Sequence, residues 1–245
     1  MKQTTDHTPS HAAPSAPDSL EQLRVQYARD RGRWIGSLLA PTMGRRGVRL
    51  VLQHLSDLAD TLLRALWHRA GMPPEACLAA VGGFGRAQLF PYSDIDVLVL
   101  LPAAGTADAE LASRIEKFIG SCWDAGLEIG SSVRTLAECL EESERDLTVQ
   151  TALLESRRIC GSEPLFAEFQ TRYQAQMNAH AFLSGKLLEM RQRHNKYEST
   201  PYSLEPNCKE SPGGLRDLHT MIWLARAAGL GLSLIHISEP TRQAE

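Results

Sequence analysis

Two aspartates one residue apart, Asp94 and Asp96, stand at the head of the apolar run IDVLVLL. A glycine cluster, Gly82, Gly83 and Gly85, lies just upstream in VGGFGRAQLFPYSDIDVLVLLP. Residues i and i+2 of a strand point to one face, so the two carboxylates share a side while Ile95, Val97 and Val99 fill the opposite one. Paired carboxylates repel unless a cation sits between them. Magnesium suits such a pair, being a hard ion that takes a few carboxylates and shares its remaining coordination with water and substrate phosphates. A nucleoside triphosphate is the donor of those oxygens that this chemistry suggests. The glycines agree with it, because an amide without a neighbouring Cβ approaches a phosphate closely, and Arg86 and Ser93 stand where they could add side-chain donors.

Each signal alone has a plainer reading: a tight turn for the glycines, a capping aspartate with a surface neighbour for the pair. Together, with residues 84–93 between them, they match the nucleotidyltransferase pattern of a glycine pair, a loop, then aspartate, apolar, aspartate. Rival phosphate loops fit less well. The Walker pattern needs Gly-Lys-Ser/Thr and this loop has no lysine. A dinucleotide fingerprint counted from Gly83 puts its third glycine on Gln88, and a strand follows the loop where a helix is required.

The elements that must position these residues can be read from periodicity. GVRLVLQHLSDLADTLLRALWHRAGM places Val48, Leu52, Leu55, Leu58 or Ala59, Leu62 and Leu66 at helical spacing, with Gly71 as its stop. ACLAAV and IDVLVLL are short apolar runs suited to core strands. Residues 107–123 return to helical period and LEIGSSV alternates as a strand, giving the order strand, loop, strand, helix, strand. From Thr135 onward helical patterns dominate, in LTVQTALLESRRI and in residues 163–197, before the polar loop STPYSLEPNCKESPGG. The expectation is an α/β (α+β) fold in these parts: a disordered tail at 1–18, an N-terminal helical segment at 19–75, a core with a mixed sheet at 76–140 and a helical region at 141–231 packed on it.

Composition narrows the function classes. The net charge is −3 and the basic residues are scattered, so the chain lacks a footprint for nucleic acid or an anionic membrane. Five cysteines form no CxxC pair, which fits reduced thiols in a cytoplasmic protein and disfavours zinc. The first residues, MKQTTDHTPSHAAPSAPDS, carry no apolar core of a signal peptide, and no run approaches transmembrane length.

At this point the residues carry a family resemblance. VGGFGRAQLFPYSDIDVLVLL resembles the signature loop and strand of bacterial PII uridylyltransferase/uridylyl-removing enzymes. LEIGSSVRTLAEC with DLTVQTALLESRRICG, and then YSLEPNCKESPGGLRDLHTMIWLAR, resemble the segments that follow, in one order over roughly residues 45 to 230. The resemblance implies a polymerase-β-like nucleotidyltransferase domain that moves UMP from UTP onto a tyrosine of the PII signalling protein. Asp94 and Asp96 would then hold Mg2+, with Gly82, Gly83, Arg86 and Ser93 on the nucleotide. A third carboxylate usually completes such a site. Strand parity offers Glu128, facing the cleft with Arg134 if Leu127, Ile129 and Val133 are buried; the alternative is a solvated edge residue paired to Arg134. Asp146 is another candidate, and its place before LTVQTALL reads more simply as a helix N-cap.

In KESPGGLRDLH, Lys209 and Arg216 could reach the triphosphate, or the segment could dock the helical region, with Asp217 available for capping and His219 and Trp223 as core helix residues. The chain also departs from the family: Ala87 and Gln88 stand where Gly and Glu are usual, and Ser131 where histidine is typical. Ala87 tightens the loop's geometry, Gln88 loses a charge and Ser131 loses a proton carrier or phosphate partner. None touches the aspartate pair. Two other readings share these residues: a degenerate nucleotidyltransferase fold acting as a binding module, and a related protein adenylyltransferase.

LSLIHISEPTR, residues 232–242, resembles the translation of a transposon-end adapter, so 232–245 is expected to be foreign to the fold. Family members continue into a metal-dependent hydrolase domain that removes UMP and paired domains that sense glutamine. The expectation for this chain is therefore transfer alone.

Overall fold

The structure, a computed structural model, describes residues 19–40, 44–102, 109–197 and 207–230. The tail expected to be disordered at 1–18, the stretch 232–245 read as foreign and the polar loop before residue 207 lie outside them.

Helix α1 (Leu20–Ser37) starts at a reciprocal cap, in which the Ser19 hydroxyl accepts from the Gln22 amide and the Gln22 side chain accepts from the Ser19 amide. Helix α2 (Arg45–Arg69) buries the stripe read from its sequence, including Leu52, Leu55, Leu62 and Leu66. Val48, expected on that stripe, is exposed: it lies in the first turn, before the helix reaches the sheet. Gly71, at φ +69°, takes the chain out of the helix.

Strand β1 (Cys77–Ala80) is followed by a single helical turn, α3 (Gly82–Gly85), where a loop was expected. Then come β2 (Ile95–Leu101), α4 (Ala109–Asp124) and β3 (Ile129–Thr135). The chain continues through α5 (Leu136–Arg145), α6 (Leu147–Leu154), β4 (Arg157–Gly161), α7 (Glu163–Gln176), α8 (Ala179–Lys196) and α9 (Leu215–Ala227). The sheet has the order β3-β2-β1-β4. Strand β1 is antiparallel to both its neighbours, and β2 runs parallel to β3 across the α4 crossover. The result is the α/β architecture with a mixed sheet that the sequence implied, flanked by N-terminal helices and a C-terminal helical region, and it accords with a nucleotidyltransferase-like core.

One strand was missed. Residues 157–159 close the run LTVQTALLESRRI, whose pattern is helical, yet α6 stops at Leu154 and Arg157–Gly161 pairs with β1, burying Ile159 and Cys160. Five residues, two of them arginine, are too few to display a period of two.

Both faces of β2 are covered. Ile95, Val97, Val99 and Leu101 pack with α2 and α4, where Leu66 and Phe118 are fully buried. Leu98 and Leu100 pack on the other face against Leu136, Leu153 and Phe169 of α5, α6 and α7. Each such side chain withdrawn from water contributes about 1.5–3 kcal/mol. This double burial explains why the strand reads as an unbroken apolar run once Asp96 is passed. Strand β3 is at the sheet edge and is less covered: Val133, expected in the apolar face, is exposed. Phe182 of α8 with Trp223 and Ala227 of α9 form a smaller cluster that seats those helices against Leu147 and Leu154.

Candidate functional site

Asp96 is the second residue of β2 and shares its face with Leu98 and Leu100, so its carboxylate emerges where the sheet face ends and the helical region begins. The parallel register sets Asp96 opposite Gly130. An ideal Cβ on Gly130 would lie 2.5 Å from Asp96 Oδ1, and one on Gly82 would lie 3.4 Å from Oδ2. The half-buried carboxylate therefore sits between two glycines that leave it room. Burial raises its pKa above the ordinary carboxylate value, and the charge of Asp94 raises it further. Asp94 itself is exposed.

This donor set fits a hard divalent cation, whose charge would act against the burial and the Asp94 repulsion that raise the Asp96 pKa. Among the described residues no group of three or more His, Cys, Asp or Glu side chains gathers to hold a metal. The aspartate pair would leave most of an ion's coordination to water or a bound substrate.

The glycine turn is fixed from behind. A Cβ on Gly85 would lie 1.9 Å from the carbonyl oxygen of Glu155, so only glycine lets the turn seat against that backbone. Arg86 caps the turn and pairs with the Glu155 carboxylate, which also accepts from Arg226 Nη1 at 3.3 Å. Burial holds the Glu155 pKa above its ordinary value, with the two arginines acting against that shift. Arg86 Nε is buried and makes no hydrogen bond among the described residues. The next residue, Ala87, adopts φ +56°, a left-handed conformation that costs a residue with a Cβ roughly 1–2 kcal/mol. The Leu89 amide donates to Leu52 O at 3.2 Å and ties the loop to α2.

Gly82, Gly83, Arg86, Ser93, Asp94 and Asp96 all line one cleft of about 1000 Å3. Its other wall comes from the helical region and is rich in cations: Lys186, Arg193 and Lys196 of α8, then Lys209 and Arg216. The two glycines of KESPGGLR let the chain reverse so that the amides of Leu215 and Arg216 donate to Cys208 O and Lys209 O, both at 2.9 Å, bringing Lys209 and Arg216 together. Asp217 accepts from the Gly213 amide at 2.7 Å and pairs with Arg193 and His194, so the segment both docks on α8 and lines the cleft. Arg216 is also bonded to Glu210 at 3.1 Å.

His219 lines the cleft, and burial followed by the nearby charges of Arg86, Arg216 and Lys209 lowers its pKa to about 4, which leaves the imidazole neutral at physiological pH. Trp223 is core, as expected. Lys186 is buried, with Nζ 2.7 Å from Glu189 and 4.8 Å from the centroid of the Trp223 ring. The α8 cations were not singled out from the sequence. Lys186, Arg193 and Lys196 recur at offsets of seven and three, which is one helix face, and that spacing was the available signal.

Glu128 is not brought to this cleft. It is exposed, its carbonyl accepts from the Ile95 amide at 2.9 Å, and it lines a smaller neighbouring pocket of about 110 Å3 with Ser93 and Tyr27. The register puts Gly130, two residues on, beside Asp96. Asp146 is the N-cap of α6, accepting from Thr148 and Val149 amides at 2.6 and 3.3 Å. Ser131 is exposed on β3, and Gln88 lines the cleft.

A family model described as GlnD PII-uridylyltransferase matches residues 181–241. A bifunctional uridylyltransferase/uridylyl-removing enzyme of Burkholderia orbicola (strain AU 1054) is 53% identical over 224 residues, covering 91% of this chain and 25% of that protein. Its namesake in Burkholderia thailandensis is 58% identical over 196 residues, covering 80% of this chain and 23% of that protein. A third, from Burkholderia pseudomallei (strain K96243), is 57% identical over the same length. The chain thus spans about a quarter of the length of these curated relatives.

Proposed function

The chain belongs to the family of bifunctional uridylyltransferase/uridylyl-removing enzymes, and from that premise we propose that its cleft binds UTP with Mg2+ and transfers UMP to a tyrosine of a PII protein. The observation that carries this reading is the meeting, in one cleft, of the Asp94–Asp96 pair, the glycine turn and a cationic wall from α8 and α9.

The chain's own groups divide the work. Amides of the turn at Gly82 and Gly83 approach the phosphates, because no Cβ stands between them and the cleft. Lys196, Lys209 and Arg216 attract and orient the polyphosphate, and Arg86 Nε offers a further donor. Asp94 and Asp96 hold magnesium, which when bound neutralises charge on the reacting phosphate and the leaving pyrophosphate. The tyrosine oxygen bonds to the α-phosphorus, the bond to the bridging oxygen breaks, pyrophosphate leaves with that electron pair, and the phenolic proton passes to solvent. Catalysis here is chiefly positioning and charge stabilisation.

Incubating the purified chain with PII, MgCl2 and either UTP or ATP tests the proposal by the mass of PII. A UMP adduct supports it, an AMP adduct favours a protein adenylyltransferase, and an unmodified PII contradicts transfer. A second reading, nucleotide binding without transfer, is favoured by Ala87, a residue with a Cβ whose backbone is held left-handed in the loop itself. UTP bound without an adduct would identify it.

A further inference from the structure

We infer that Glu155 is a positioning residue that clamps the glycine turn to α9 and so sets the width of the cleft. Glu155 follows α6 as its C-cap, and its side chain is 1% exposed. One carboxylate oxygen receives Arg86, which caps the glycine turn; the other receives Arg226 of α9 at 3.3 Å. The carbonyl of the same residue is the surface on which the turn seats at Gly85. Three contacts from one residue thus join the turn on one cleft wall to the helix that carries Arg216 and His219 on the other.

Arg226 is not among the residues that line the cleft, so direct contact with a bound phosphate does not account for its place. Its side chain is only 23% exposed, and its guanidinium pairs with the buried carboxylate. A buried carboxylate held by two cations is costly to leave half-paired, which makes such a junction stiff. Breaking the Arg226 arm frees α9 from the turn without removing any group from the cleft wall.

The nucleotide half of this inference rests on the proposed function, so the experiment separates the two. Hydrogen exchange is measured on the full chain without nucleotide for Arg226→Met, Arg226→Lys and Glu155→Gln. The amides of Gly85, Arg86 and Ala87 donate to Val81, Gly83 and Phe84 carbonyls and report directly on the turn. Arg226→Met and Glu155→Gln are expected to speed their exchange about tenfold, equivalent to about 1.4 kcal/mol. Exchange in β1 and β2 should stay unchanged, and Arg226→Lys should restore most of the protection. Mg·UTP affinity, where the wild type shows it, should weaken by a similar factor. Unchanged exchange in the turn overturns the clamp whether or not the chain binds UTP. A uniform rise across the sheet also overturns it, because that is general destabilisation.

Discussion

An ideal Cβ at position 130 would stand 2.5 Å from Asp96 Oδ1, so the half-buried carboxylate of the pair occupies space that exists only because β3 carries glycine opposite it. The atom that must yield to a larger residue is the end of a side chain, which can rotate. Gly130→Ala should therefore fold normally, with a melting temperature within about 2 °C of wild type. Its carboxylate would be turned from the cleft, and a misplacement of about 1 Å costs on the order of 100-fold in rate. Measuring UMP transfer beside thermal unfolding checks both halves. Full activity in Gly130→Ala would remove this glycine from the site.

Ala87 is a loop residue held at positive φ. Ala87→Gly should relieve roughly 1–2 kcal/mol of strain and return roughly 0.5–1 kcal/mol through the freer unfolded chain. The net gain should raise the melting temperature by about 2–4 °C. A calorimetric scan settles the sign, and a lower melting temperature would show that the strain is absent.

Cys77, Cys122, Cys139 and Cys160 are buried, and burial pushes each thiol up to about 12, whereas Cys208 is exposed in the cleft. Iodoacetamide at neutral pH should label Cys208 well before the others. Mg·UTP should slow that labelling. Peptide mapping reads the order, and early labelling of a sheet cysteine would contradict the core described above.

Partial burial, and after it the charge of Asp94, raise the Asp96 pKa, so the folded protein holds that proton more tightly than the unfolded chain does. The linkage sign is then that stability attributable to Asp96 is present at low pH and is lost as pH rises through the window above the ordinary value of 3.8. At neutral pH without metal, Asp96→Asn should melt about 2 °C higher than wild type, as expected when a repelling functional group is removed. In wild type, magnesium affinity should fall as acid protonates Asp96, beginning at a higher pH than for an ordinary aspartate. Thermal scans across pH, with and without MgCl2, test both statements.

Much of this site was legible in the sequence because it is local. Asp94, Asp96, the glycines, Arg86 and Ser93 lie within one turn-and-strand unit, in which parity orients Asp96 on β2 and Asp94 stands just before the strand begins. What was not legible came from pairing across the chain. The role of Gly130 depends on the register of β3, and the partner of Arg86 is sixty-nine residues away at Glu155. Parity set Glu128 on the right face but could not say that the strand begins after it, outside the cleft. Strand β4 was hidden because a short strand exists only by virtue of its neighbour, here β1. The α8 cations had a visible helical spacing, but only the packing of α8 on α9 gave that face a cleft to line.

Titration calorimetry of UTP into the full chain asks whether Asp94 and Asp96 hold the metal through which this cleft accepts UTP. Binding should require MgCl2 in wild type and be weakened at least about tenfold, or about 1.4 kcal/mol, in the Asp94→Asn/Asp96→Asn double variant, with the fold intact by circular dichroism. Equal affinity of wild type and the double variant for UTP in the presence of magnesium would contradict it.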